Sequence, residues 1–218
     1  GVQFMEINTS CQLLSMVKNS PRLKIAKTLL MFPDYFNFLL SGKKVSELSI
    51  ATTTQLYDPL KKGWSREVMN ALGIDPSWFQ PIVSGGTNLG PIQEPLAEEF
   101  GLDVETRIIA PLTHDTGSAY AAVPVDMEEY ERGQYGILSS GTWSLIGVEL
   151  SEPLLSSKAL SQNYTNEGGI NGTIRFLRNI TGLWLIQQAK KSWEADGIKM
   201  DWDEVVAHAR NVPPFRHF

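Results

Sequence analysis

One cysteine and three histidines are all that this 218-residue chain holds of the side chains that most often cross-link or bind transition metals. A single thiol, Cys11, excludes an intrachain disulfide and fits a reducing compartment. With Leu13, Leu14 and Met16 close by in sequence, Cys11 is expected to be a small core hydrophobe. His114, His208 and His217 stand at no ligand-like spacing from one another or from Cys11, so no metal site is expected from them. Positive charge is also short: 19 Lys and Arg face 24 Asp and Glu, a net charge of −5. That balance argues against nucleic acid as a partner, whose usual footprint is a basic surface. No apolar run approaches the about 20 residues of a membrane-spanning helix, and no signal peptide opens the sequence. The expected location is therefore cytoplasmic, with no membrane partner. The sequons at Asn8, Asn163, Asn171 and Asn179 are read as chance, since nothing marks the chain for secretion. Internal repeats and low-complexity tracts are absent too.

The termini lack the usual marks of an end. The chain opens on Gly1-Val2-Gln3-Phe4-Met5 without an initiator Met, and stops at Phe215-Arg216-His217-Phe218 straight after Pro213-Pro214. It is expected to be a piece cut from something longer.

What is present is ordinary globular material, 42% apolar and 20% charged. The length suits one large domain or parts of two. Asn8 or Thr9 can cap a first helix carrying Leu13, Leu14 and Val17 on one face. Pro21 suits a first helical turn, and the apolar spacing continues from Leu23 to Met31. Pro33 breaks that helix and starts another over Asp34 to Ser41, with Gly42 as its left-handed stop. Thr52 to Tyr57 is polar and β-branched, which predicts a strand or extended loop. Ser65 caps a helix to Leu72 closed by Gly73, and Pro95 to Phe100 forms another closed by Gly101. Thr106 to Leu112 reads as a buried strand, and Ser118 to Val123 as the start of a buried helix.

After Val123-Pro124 the pattern changes. Tyr135–Ser139 and Trp143–Leu150 read as strands around a Ser140-Gly141 turn. Asn163–Glu167 and Thr173–Leu177 form a second hairpin. A helix from Thr181 to Ala195 packs Leu183, Leu185, Ile186 and Ala189 inward and ends at Gly197, and Asp203–Arg210 is the last helix. The expected division is 1–123 and 124–218, two α/β units meeting near Pro124.

Three constellations can carry chemistry. The first is Thr113-His114-Asp115-Thr116-Gly117-Ser118-Ala119, an acid and an imidazole between two apolar runs. Asp115 can cap the following helix through backbone N–H groups. It can also be half of an aspartic protease dyad, since Asp-Thr-Gly matches that signature; the dyad needs a second copy, which the chain lacks, or a homodimer. Or it can accept the proton of an alcohol as that alcohol attacks phosphorus, with His114 binding a substrate hydroxyl rather than serving as an acid. The second is Ser139-Ser140-Gly141-Thr142-Trp143-Ser144. It is a plain hairpin tip on the bland reading. On the functional one, backbone N–H groups converge on an anion and the Thr142 hydroxyl touches a phosphate oxygen. The third is Asn179-Ile180-Thr181-Gly182-Leu183-Trp184-Leu185-Ile186-Gln187-Gln188. Asn179 reads as a helix cap, the apolar residues as core, and Gln187 as a polar residue that faces either solvent or a cleft.

Taken together and in order, these segments resemble the FGGY family of carbohydrate kinases. Leu29-Leu30-Met31-Phe32-Pro33-Asp34-Tyr35-Phe36 with Leu40-Ser41-Gly42 is similar to the family's helix ending in Thr/Ser-Gly. Ala51 to Asp58 with Trp64 is similar to its Ser/Thr-rich segment. Thr113-His114-Asp115-Thr116 departs from the Gly-x-x-Asp of many members and matches the branch that phosphorylates L-rhamnulose. Ser139 to Ser144, Thr165-Asn166-Glu167-Gly168-Gly169 and Asn179 to Trp184 match that branch as well. The resemblance implies an α/β, actin/hexokinase-like (ribonuclease-H-like) ATPase fold, with parts of two domains: the second part of the N-terminal domain in 1–123 and the first part of the C-terminal domain in 124–218. It implies transfer of the γ-phosphoryl group of ATP, with Mg²⁺, to O1 of L-rhamnulose. Another ketose or deoxy-sugar of the family, or a non-catalytic binding module on the same fold, are the alternatives. Carried over by motif, Asp115 is the general base; His114, Asp115, Thr116 and Asn179 line the sugar site; Thr142 and Gln187 belong to the ATP site. The family's N-terminal Asp-Gly-Thr-type phosphate loop and C-terminal adenine site have no counterpart in the sequence. The 218 residues alone are therefore expected to have little or no kinase activity.

Overall fold

The computed structural model describes residues 1–126, 128 and 135–214; His217 lies outside them. By its internal contacts the chain divides into two compact units, Gly1–Ser139 with Leu145–Asn179, and Ser140–Ser144 with Ile180–Phe218.

The first unit opens with α1 (Thr9–Asn19), whose Leu13 is buried. Leu13 joins Leu56, Met69 and Ile74 in a core bordered by Val17, Leu29, Trp64, Leu72, Trp78 and Phe79. Asn8 occupies the N-cap position, but its side chain donates to the Gln3 carbonyl (2.8 Å) and leaves the helix uncapped. Cys11 is exposed rather than buried, because Leu13 takes the inward face and Cys11 falls two residues off it. The helix expected from Leu23 to Met31 does not form. Pro21–Ile25 makes a short 3₁₀ turn, and Leu29 donates its N–H to Trp78 (2.8 Å) in place of a helical bond.

Helix α2 (Phe32–Ser41) has Pro33 in its first turn and ends at Gly42 with φ of 71°, as the Pro…Gly pattern requires. Strand β1 (Ser46–Glu47) pairs in parallel with β4 (Ile82–Val83), and α3 (Leu48–Ala51) follows β1 directly. Thr52–Thr54 is a 3₁₀ turn, not a strand. Each threonine hydroxyl bonds the carbonyl three residues back, so local side-chain bonds override β propensity. Between them and β4 lie the hairpin β2 (Tyr57–Asp58) and β3 (Gly63–Trp64) and the helix α4 (Arg66–Ala71), which Ser65 caps by accepting from Val68. Strand β5 (Asn88–Pro91), helix α5 (Glu94–Phe100) and strand β6 (Arg107–Ile109) come next, with β6 antiparallel to β5. The strand expected to be buried is exposed at Ile109, 48%, because this two-stranded ribbon covers one face only; burial is complete at Ala110. Helix α6 (Asp115–Ala121) begins at Asp115, three residues before the expected start.

A four-stranded sheet follows, in the order β7 (Ile137–Ser140), β8 (Trp143–Leu150), β10 (Ile174–Thr181), β9 (Thr165–Gly168). The short α7 (Ser157–Ser161) sits between β8 and β9 in sequence. Strands β9 and β10 are antiparallel, with Glu167 directly opposite Arg175 and Thr165 opposite Leu177. A second apolar cluster, Tyr120, Ile137 and Leu177, joins α6 to this sheet.

The second unit holds the 140–144 turn, α8 (Trp184–Ala195) and α9 (Trp202–Arg210), the last closed at its start by an Asp201–Glu204 capping box. No residue of α8 is fully buried; Leu183 and Leu185 are 53% and 60% exposed, against the expectation of an inward face.

Candidate active site

Asp115 does not sit at a strand exit. Strand β6 ends at Ile109, and Asp115 is the first residue of α6, with His114 in the N-cap position. The stretch between is nevertheless held firmly. The Glu47 carboxylate accepts from the backbone N–H and the hydroxyl of Thr113, both at 2.9 Å, and from the Ser49 hydroxyl. Ser49 Oγ in turn accepts the His114 N–H at 3.0 Å. Glu47 and Ser49 are themselves buried, and Asp34 on α2 accepts the Glu47 N–H at 3.0 Å. A chain of buried polar groups from α2 through β1 and α3 thus pins the backbone one residue before Asp115. Such groups are costly to bury unless every one finds a partner, so the arrangement is narrowly specified.

The Asp115 side chain is 95% exposed. Its Oδ1 accepts the Thr116 N–H at 2.6 Å and the Thr116 hydroxyl at 3.3 Å, and lies 3.6 Å from His114 Nε2. Thr116 is buried. Asp115 therefore has an accessible carboxylate on a fixed backbone, at the positive end of a helix dipole.

His114 is mostly enclosed. Its Nδ1 lies 3.2 Å from an Arg175 terminal nitrogen and 3.4 Å from Glu167 Oε2. Arg175, fully buried, pairs with Glu167 at 3.1 Å, donates from Nε to the Gly168 carbonyl at 3.0 Å, and stands over the Tyr120 ring. Burial pushes the His114 imidazole below its ordinary value; the Glu167 carboxylate opposes this, the Arg175 guanidinium adds to it, and Asp115 and Glu47 oppose it further. His114 is thus neutral near pH 7. Tyr120 is pushed up to about 12, chiefly by burial, and donates to the Ile137 carbonyl at 3.2 Å.

Of the other residues singled out, Asn179 lies on β10, not at a helix start; the helix opens at Trp184. Its Oδ1 is buried and lacks a hydrogen bond. In the second unit, Thr142 and Gln187 are brought together: Gln187 Nε2 donates to Thr142 Oγ1 at 3.3 Å. The turn's carbonyls serve α8, with Leu183 N–H donating to Gly141 (2.9 Å) and Trp184 N–H to Thr142 (3.1 Å). Gly182 is obligatory there, since a Cβ would strike the Ser144 hydroxyl and the Gly141 carbonyl.

Sequence reasoning missed Glu47, Ser49, Glu167 and Arg175. The available signal was charge in the wrong place. Arg175 occupies an inward position of β10 in register with Leu177, and Glu47 stands within the otherwise small and apolar Val45 to Ala51.

The chain resembles known proteins along both of its parts. Residues 1–121 match the N-terminal domain of the FGGY family of carbohydrate kinases, and residues 136–218 match its C-terminal domain. A rhamnulokinase of Halalkalibacterium halodurans is 48% identical over 195 residues, covering 89% of this chain and 40% of its own length. One from Enterococcus faecalis is 38% identical over 218 residues, all of this chain and 42% of its own. This chain thus spans about two fifths of the curated relatives it matches. Among solved structures, xylulose kinase from Rhodospirillum rubrum superposes with a TM-score of 0.75 at 16% identity, over 96% of this chain and 41% of that one. Plasmodium falciparum glycerol kinase with ADP gives a TM-score of 0.62 at 14% identity, over 83% of this chain and 37% of that one. The fold is the α/β, actin/hexokinase-like fold of the sugar kinases.

Proposed function

Since this chain belongs to the FGGY family of carbohydrate kinases, we propose that it carries the sugar-activating part of an ATP-dependent ketose kinase, with L-rhamnulose as the substrate and O1 as the acceptor. The observation that carries the reading is the Asp115 carboxylate, 95% exposed on a backbone that Glu47 and Ser49 hold fixed, beside a neutral His114. The identity to rhamnulokinases supports the choice of sugar.

In the reaction, the sugar O1 hydroxyl attacks the γ-phosphorus of ATP. Its proton passes to the Asp115 carboxylate, the new O–P bond forms, and the bridging bond to ADP breaks with its electron pair leaving on the ADP oxygen. His114, Thr116 and Asn179 are assigned to the sugar, His114 as a hydrogen-bond donor to a hydroxyl. The partnerless Oδ1 of Asn179 supports an acceptor role for that residue. Thr142 and Gln187 are assigned to ATP; the hydrogen bond that brings them together supports treating them as one site. No residue of this chain is assigned to Mg²⁺; when bound, the ion would neutralise charge on the transferring phosphoryl group. Residues 1–123 and 124–218 are assigned to the second part of the N-terminal domain and the first part of the C-terminal domain. Among the described residues no helix is long and apolar enough to cross a membrane; a cytoplasmic role in sugar catabolism is part of the reading proposed from the family.

The test is a coupled ADP-release assay of the full-length protein against a panel of ketoses. L-rhamnulose is expected to give the highest kcat/KM; a different sugar ahead of it, or no sugar-dependent release, overturns the assignment.

A further inference from the structure

The His114 ring is approached at Nδ1 by a donor and an acceptor together, and which of them owns that nitrogen decides what His114 offers to a ligand. The Arg175 terminal nitrogen is at 3.2 Å and Glu167 Oε2 at 3.4 Å. A guanidinium only donates. A carboxylate only accepts; Glu167 Oε2 forms an ion pair with Arg175 at 3.1 Å and has no hydrogen bond of its own. If Arg175 owns Nδ1, that nitrogen is the acceptor and the ring proton is on Nε2. If Glu167 owns it, the proton is on Nδ1 and Nε2 is a bare lone pair.

The geometry points to Arg175 as a positioning residue, held by Glu167, that fixes His114 as the Nε2–H tautomer with that N–H facing the Asp115 carboxylate. This rests on the reading of His114 and Asp115 as the sugar end of a kinase site. Four observations carry it. Arg175 is the nearer partner of Nδ1. It is fully buried and cannot swing away, fastened by its Nε bond to the Gly168 carbonyl at 3.0 Å and by the cross-strand register that sets it opposite Glu167. Gly117 faces it closely on the α6 side, where a Cβ would make van der Waals contact with the guanidinium at 3.4 Å. Finally, Nε2 stands 3.6 Å from Asp115 Oδ1, so a hydroxyl approaching that carboxylate meets an N–H donor and not a second lone pair. The charged groups facing the ring are thus Glu167, Arg175, Asp115 and Glu47, and the imidazole itself stays neutral among them. The chemical result is a matched pair: Asp115 takes a proton from a sugar hydroxyl while His114 donates to an adjacent sugar oxygen. A His114 with its proton on Nδ1 could only accept from that hydroxyl, and would have no proton to donate to its oxygen.

The tautomer is read directly by long-range ¹H–¹⁵N correlation spectra of the full-length protein labelled with ¹⁵N-histidine, the His114 signals being assigned by their loss in His114→Asn. Near pH 7.5 the wild-type protein is expected to show a protonated Nε2 and a bare Nδ1 at His114. A protonated Nδ1, or an imidazolium, overturns the proposal. Glu167→Gln leaves the guanidinium in place and is expected to keep the Nε2–H form; a change of tautomer in that variant assigns control to Glu167 and overturns it. Arg175→Met leaves Glu167 alone beside Nδ1. It is expected to move the proton to Nδ1 and to raise KM for the ketose about tenfold, the worth of one hydrogen bond, with KM for ATP unchanged. A variant that keeps Nε2–H, or raises both KM values alike, assigns Arg175 a merely structural role. Where Arg175→Met does not fold, the wild-type and Glu167→Gln spectra decide. Failure of the kinase reading shows separately, as wild-type protein without ketose-dependent ADP release, whatever the spectra give.

Discussion

Asp115 accepts from the N–H and hydroxyl of the buried Thr116, and its proposed part as a base depends on the backbone that its neighbours hold. Replacing it by Asn keeps the Thr116 N–H bond, since the amide oxygen accepts as the carboxylate does, and removes only proton affinity. In the full-length protein Asp115→Asn is expected to lower kcat about 10²- to 10⁴-fold, the usual worth of a general base, with the melting temperature unchanged; near-normal turnover removes the base from Asp115. Gly182 tests the other end of the proposed reaction at the same scale. A methyl group there collides with Ser144 and Gly141 and displaces the turn that carries Thr142. Gly182→Ala is expected to cost about 1–3 kcal/mol of stability and to raise KM for ATP more than KM for the sugar, measured by thermal unfolding and steady-state kinetics.

At the scale of elements, α2 and β1 are joined by a carboxylate that would rather be protonated. Asp34 is fully buried, its Oδ2 lacks a hydrogen bond, and burial lifts it to about 7 despite the Glu47 N–H bond that works the other way. The native state therefore holds a proton that the unfolded chain releases near 3.8. Stability accordingly falls as pH rises from about 4 through about 7, and levels off above. Asp34→Asn keeps an acceptor for Glu47 and is expected to flatten that slope in denaturant titrations across the range; an unchanged slope assigns it to another group. The elements themselves were largely legible in the sequence. Pro33 and Gly42 bracket α2, Ser65 caps α4, and the strands after residue 136 pair as expected. The failures have two causes, partners far away in sequence and bonds too local to show in hydrophobic spacing. Leu23–Met31 lost its helix to Trp78, and Thr52–Thr54 lost its strand to its own hydroxyls. The site was legible in the same uneven way. Asp115 and His114 stand out by type and context, and Thr142 with Gln187 by motif. The residues that hold His114 and its backbone, Glu47, Ser49, Glu167 and Arg175, come from segments about 50 to 65 positions away on either side, and spacing along the chain carries no trace of them.

For the whole molecule, the chain's span of about two fifths of its rhamnulokinase relatives bears on what the 218 residues do alone. Phosphoryl transfer needs its phosphate clamps and metal as well as its base. The isolated chain is expected to show no ketose-dependent ADP release above background, and the full-length protein to show it; comparable turnover by the two refutes this.

The polar bonds around His114 also set an order of events. Its backbone is tied to Ser49, 65 residues earlier, and its ring to Arg175, 61 residues later. The Gly168 N–H, next to that arginine's partner, donates to Thr52 across 116 residues. Closures of that span come after local helices and hairpins have formed. A chain ending at α6 contains Asp115 and the Ser49 partner of the His114 backbone, but not the Arg175 partner of its ring. The proposed orientation of the His114 ring therefore waits for the synthesis of β10, the fourth strand after α6.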